Sequence, residues 1–131
     1  MALSRPLPEE IERIAAEVLG AAGKVHAAMG PGGTKAVYQA CMAHELDQRR
    51  IAFAAHVPLP VKTGGRVLDT GLRLDLLIAG CVIVEIIALT EVPEVFEDQL
   101  RTFLELADLR LGLLINFNVA AIEDGIRRVV R

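Results

Sequence analysis

The sequence predicts one α/β domain over residues 1–131, a β-sheet with helices packed on both of its faces. Three observations lead there. Apolar residues recur at helical spacing from Pro8 to about Arg50, the period shortens to two between Ile51 and Leu89, and the run Cys81 to Ala88 is apolar on both faces apart from Glu85. A strand of that last kind is central in its sheet and covered on each side.

The first helix opens at Pro8-Glu9-Glu10, with proline in the first turn and acids at the positive end of the helix dipole. Its apolar stripe is Ile11, Ile14, Ala15, Val18, Leu19, Ala22, Val25 and Met29, and Gly30-Pro31-Gly32-Gly33 stops it. Thr34 caps a second helix that runs through Tyr38, Cys41, His44 and Leu46 to about Arg50. Ile51 to Leu89 reads as a three-stranded meander, with turns at Lys62-Thr63-Gly64-Gly65 and at Ala79-Gly80. Pro93 and Glu94 open a third helix with the stripe Phe96, Leu100, Phe103, Leu104 and Ala107. Leu111 to Phe117 is a short buried strand, and Ala120 to Arg131 closes the edge as a short strand or a helix.

Apolar residues make up 53% of the chain, more than one small core needs, so some apolar surface is left over for a partner. Lys and Arg number 14 against 17 Asp and Glu, without a long basic run, which disfavours nonspecific nucleic-acid binding. A local basic groove stays open as a nucleic-acid contact. Cys41 and Cys81 lack metal-ligand spacing and read as buried free thiols. Met1 to Glu10 lacks the apolar core of a signal peptide, and no apolar run reaches the roughly 18 residues of a membrane span. The expected address is the cytoplasm, with no membrane partner. His26, His44 and His56 show no paired spacing and read as solvated or core histidines. Gly30 to Gly33 resembles a phosphate loop only superficially, because no strand precedes it.

The most informative pair is Asp75 and Glu85, five residues to either side of Gly80. A hairpin centred on that glycine sets the two carboxylates opposite each other on one face. Carboxylates in opposition repel unless a cation lies between them, and one or two carboxylates completed by water and phosphate is a common Mg²⁺ site. The plainer alternative pairs Asp75 with Arg73 or Arg66 and leaves Glu85 to cap a helix. A turn centred one residue away breaks the arrangement.

Gly32-x-x-Lys35-x-x-Tyr38, Ala43-His44-Glu45-Leu46, Val57-Pro58-Leu59-Pro60-Val61, Arg73-Leu74-Asp75-Leu76-Leu77, Val82-Ile83-Val84-Glu85 and Leu113-Leu114-Ile115-Asn116-Phe117-Asn118-Val119 together resemble the GxxExxY family of the PD-(D/E)XK nuclease superfamily. The likeness runs from about Ile11 to Val130. It implies a restriction-endonuclease-like mixed sheet flanked by helices, in which an Asp of the second strand and a Glu of the third bind Mg²⁺ or Mn²⁺. It also implies a Lys two residues after that Glu to position the attacking water, supported by a Glu of the glycine-rich motif and a Gln on the following helix. Asp75, Glu85 and Gln99 match that pattern.

Three positions depart from it. Ile87 stands where the lysine belongs, on the same strand face as Glu85, and an isoleucine cannot hold a water or stabilise charge on phosphate. Lys35 replaces the Glu that names the family, and Phe96 stands three before Gln99, where the family often has His. The Lys35 ammonium is within reach of Asp75 or Glu85, where a salt bridge takes over the charge of the missing metal. Tyr38 belongs to the motif and is expected to anchor the second helix, its hydroxyl on a polar group near the site. Ile87, Phe96, Leu89, Val92 and Val95 form either an apolar interface or a plug that closes an unused cleft.

The expectation is therefore a catalytically inactive nuclease-fold protein, a structural or self-assembling homo-oligomeric subunit with no cofactor. Natural divergence and deliberate removal of active-site charge both leave such a pattern. The alternative is a Mg²⁺- or Mn²⁺-dependent nuclease on DNA or RNA in which Lys35 or Lys62 replaces the lysine. A binding module that kept the groove and lost the cut is the third reading, disfavoured by the acidic balance and by aromatics limited to Tyr38 and 4 Phe.

Overall fold

The computed structural model describes residues 5–131; Met1 to Ser4, part of the segment read for a leader, lie outside it. Helix α1 spans Glu9–Met29 and α2 spans Lys35–Gln48. Pro8 caps α1 and three acids, Glu9, Glu10 and Glu12, occupy its first turn, where they meet the positive end of the dipole. Gly30, at φ 66°, ends the helix in the left-handed region that a side chain disfavours. The Thr34 hydroxyl accepts from Val37 N at 3.3 Å, the expected cap of α2.

The five residues between these helices are held by Tyr38. Its hydroxyl donates to Gly30 O at 2.6 Å and accepts from Gly33 N at 2.9 Å, while the ring stacks on Phe117 at 4.5 Å. Gly33 has no room for a Cβ, which would lie 2.9 Å from Tyr38 Cζ. The expectation that this hydroxyl serves a polar group near the site is corrected here. Tyr38 is fully buried, and its hydroxyl is used up by the main chain of the glycine-rich turn.

Strands β1 (Phe53–Pro58), β4 (Arg73–Ile78), β5 (Val82–Ile87), β6 (Leu111–Asn116) and β7 (Ile126–Val130) form one sheet in the order β1-β4-β5-β6-β7. The β5–β6 pair is parallel and the other three are antiparallel, so the sheet is mixed. Helix α3 (Val95–Ala107) makes the crossover between β5 and β6. Helices α1 and α2 cover one face through Val18, Ala22, Met42 and Leu46, packed on Leu76, Val84, Ile86, Leu113 and Ile115. Helix α3 covers the other through Leu100 and Leu104, packed on Ile83, Ile87 and Leu114. Gly112 lets α3 come this close, since a Cβ there would meet Leu100 Cδ1 at 2.7 Å.

Two expectations change in detail. The meander consists of β1, β4 and β5, but a separate hairpin, β2 (Val61–Thr63) and β3 (Arg66–Leu68), is inserted after β1. The turn at Gly64-Gly65 closes this small hairpin, with both glycines at positive φ as a tight hairpin turn requires. Three-residue strands with almost every side chain exposed bury too little to join the main sheet. The C-terminal segment is both of the offered elements: a 3₁₀ turn at Ile122–Gly125 leads into edge strand β7. No helix among the described residues is long and apolar enough to cross a membrane.

Candidate functional site

The site grows out of the open end of the β4–β5 hairpin. Ala79 and Gly80 both sit at positive φ, and Cys81 N donates to Ile78 O at 2.9 Å, which closes a tight turn. The ladder pairs Ile78 with Val82, Leu77 with Ile83 and Leu76 with Val84, a register centred on Gly80. The next positions along the two strands are Asp75 and Glu85.

Here side chains replace the ladder. Asp75 N donates to Glu85 Oε2 at 3.3 Å, and Ile86 N donates to Asp75 Oδ2 at 2.8 Å. On the other side of β4 the register brings His56 opposite Asp75, between the pairs Ala55–Leu76 and Val57–Leu74. His56 is turned out of the ladder at φ 53°, and Gln39 Nε2, reaching from α2, donates to Asp75 O at 3.0 Å in its place. The same amide nitrogen lies 3.4 Å from His56 Nε2. Both main-chain polar groups of Asp75 are thus satisfied by side chains, as burial demands.

Beside the pair lies a cavity of about 190 Å³ whose wall includes Lys35, Asp75, Glu85, Ile87, Phe96 and Gln99. Lys35 Nζ is 3.0 Å from Asp75 Oδ2, with the lysine side chain 53% exposed and the aspartate 10%. Asp75 therefore pairs with Lys35, while Arg73 pairs with Asp69 at 3.5 Å. Burial, and then the hydrogen bond and repulsion from Asp75, push the Glu85 carboxyl up from near 4.5 to about 9. Lys35 pulls the other way and is outweighed. Glu85 is consequently held toward its protonated form.

The donor set fits a small hard cation in part. Glu85 Oε1 is buried and has no hydrogen-bond partner, the state of an oxygen made to face a proton or a metal. Asp75 and Glu85 would hold Mg²⁺ or Mn²⁺, with waters filling the remaining positions. No group of three or more His, Cys, Asp or Glu converges among the described residues, so no third side chain of these types joins the two carboxylates.

The remaining sequence-derived candidates separate. Gln99 lines the cavity from the exposed side of α3. Lys62, on outlying β2, does not line it. Ile87 is only 5% exposed and packs under Leu100 and Leu104, so its expected place on an interaction surface is corrected: α3 buries it inside the domain. Val92 and Phe96 are half-buried against the same cluster, leaving Leu89 at 40% and Val95 at 49% as the exposed members of that group. His26 is buried and its Nε2 donates to Val119 O at 2.7 Å, His44 is exposed, and His56 borders the site through Gln39.

Two residues escaped the sequence reading. Gln39 is a polar residue on the buried face of α2, between Tyr38 and Met42, and that position was the available signal. Asn116 anchors the chain after β5, accepting from Leu89 N at 3.2 Å and donating to Leu89 O at 2.9 Å.

The PD-(D/E)XK nuclease superfamily model matches residues 12–129. No curated protein and no solved structure matches the chain. The match spans both carboxylates, all three helices but the first turn of α1, and every strand of the sheet up to the end of β7. The chain belongs to the PD-(D/E)XK nuclease superfamily.

Proposed function

We propose that this chain is a GxxExxY-type member of the superfamily that has lost phosphodiester hydrolysis and works as a structural, self-assembling subunit, a homo-oligomer without a cofactor. One observation carries the loss: Ile87, two residues after Glu85 on β5, is buried apolar packing at the position where the family resemblance calls for a lysine. With no ammonium beside Glu85, nothing on that strand orients a water or stabilises charge on a phosphate. The upward push on the Glu85 carboxyl and the Lys35 ammonium on Asp75 work in the same direction, since a neutral carboxyl and an occupied carboxylate offer little attraction to a divalent ion.

Assembly draws its support from apolar side chains left outside the core, Val37 and Met29 by the first two helices and Leu89 and Val95 near the third. Plasmid, single-stranded DNA and RNA incubated with Mg²⁺ or Mn²⁺ should stay intact, and light scattering should return a mass above the 14.1 kDa protomer. Cleavage that disappears in Asp75→Ala sinks the inactive reading, and a strict monomer at micromolar concentration sinks the assembly reading.

A second reading has its own observation. The partnerless Glu85 Oε1, next to the cavity that Lys35 also lines, supports a metal-dependent nuclease in which Lys35 has taken over from the missing lysine. In that case Lys35→Met abolishes cleavage together with Asp75→Ala.

A further inference from the structure

We propose that Lys35 is a tethered cation that competes with divalent metal ions for Asp75, so that the charge at position 35 decides whether the site takes a metal. The inference rests on the reading of Asp75 and Glu85 as the remnant of a metal site, and it concerns binding rather than hydrolysis.

Lys35 is the first residue of α2, next to the positive end of the helix dipole. The first turns of α1 and α3 carry acids there, and that of α2 carries none. A cation in this place is repelled by its own helix, so helix formation does not account for it. What compensates is Asp75 Oδ2, 3.0 Å from the ammonium.

The two partners are held very differently. The Asp75 carboxylate is fixed, because Oδ2 also accepts from Ile86 N at 2.8 Å and the side chain is buried. Lys35 lies half in solvent on a flexible four-carbon stem, and an ion pair with one solvated partner is weak. Adjacent to it, Glu85 Oε1 lacks any partner, a second oxygen that the ammonium leaves unsatisfied. An anchored Asp75 carboxylate beside a partnerless Glu85 oxygen, with a removable single charge on it, is a place where ammonium and divalent ion exclude each other.

The test is a Mn²⁺ titration of the full chain by calorimetry, repeated by paramagnetic relaxation, on wild type, Lys35→Met and Lys35→Met with Asp75→Asn. Methionine keeps the stem and removes the charge; Lys35→Gln serves as the second neutral variant if Lys35→Met does not fold. Removing one unit charge at contact distance should tighten Mn²⁺ binding by about tenfold or more, and adding Asp75→Asn should return it to the wild-type level. Equal affinity in wild type and the neutral variant overturns the proposal, as does tighter binding that survives Asp75→Asn. Incubating the wild type with DNA and RNA at saturating Mn²⁺ separates the two readings. Cleavage there overturns the inactive reading and leaves the competition standing, whereas failure to bind metal more tightly does the reverse.

Discussion

The two ends of the β4–β5 hairpin are built on different physics. At the turn end, Ile78 and Val82 are paired through the main chain and buried, and Leu76 and Val84 carry that pattern inward. Five residues of chain to either side of Gly80, at Asp75 and Glu85, carboxylates, an amide and an ammonium stand in for ladder bonds. The closed end is held by apolar burial and geometry, which respond little to pH or salt. The open end is a balance of charges, which responds to both. One hairpin thus joins a rigid support to an adjustable site, the division of labour expected where strands deliver polar groups to a cleft.

The comparison can be broken most forcefully from the closed end. Leu76→Ala removes a fully buried side chain under α1 and α2 and should cost about 3 kcal/mol in denaturant unfolding. A loss smaller than that of any open-end substitution would reverse the assignment of support and site.

Next comes pH. Glu85 holds a proton in the folded chain up to about 9, whereas the unfolded chain releases it near 4.5. The folded state binds more protons in that window, so stability is greatest below it and falls as pH rises toward 9. Denaturant melts across that window should show the decline, and Glu85→Gln should flatten it. An identical pH slope in both proteins would place the proton elsewhere.

Gln39→Ala leaves Asp75 O without its donor and should cost about 1–2 kcal/mol, while loosening the carboxylate it supports. Thermal melts of the variant, alone and with Asp75→Ala, show whether the two losses are coupled. The smallest effect belongs to Lys35→Met, about 0–1 kcal/mol, because the ammonium is half in water. A large loss there would make the Lys35–Asp75 pair a structural element instead of a removable counter-ion.

Much of the fold was legible in the residues. The helical period and glycine stop of α1, the Thr34 cap, the doubly apolar β5 and the stripe of α3 are local signals, and each element forms where they predict. The opposition of Asp75 and Glu85 was legible for the same reason, since a strand has period two and a tight turn at Gly80 leaves one register. Less legible was the inserted hairpin: its strands are too short to show a period, and the Gly64-Gly65 signal fits any tight turn equally well.

Gln39, Tyr38 and Ile87 illustrate the rest. Each side chain has several partners within reach along its own element, and the choice is made by a segment distant in sequence. Gln39 meets the carbonyl of Asp75 because His56 leaves the ladder, and the Tyr38 hydroxyl is taken by the turn it spans while its ring lies on Phe117. Ile87 becomes interior because α3 crosses it.

By itself the sequence determined the α/β class, the order of its main elements, the facing carboxylates and the absence of a lysine beside Glu85, all consequences of local period and residue chemistry. Only the tertiary structure decided that Lys35 stands on Asp75, that Glu85 is held toward its protonated form and that Ile87 is core. Those outcomes depend on how much water and which charges remain around a group once distant segments have packed, and burial of that kind is not encoded in any one stretch of chain.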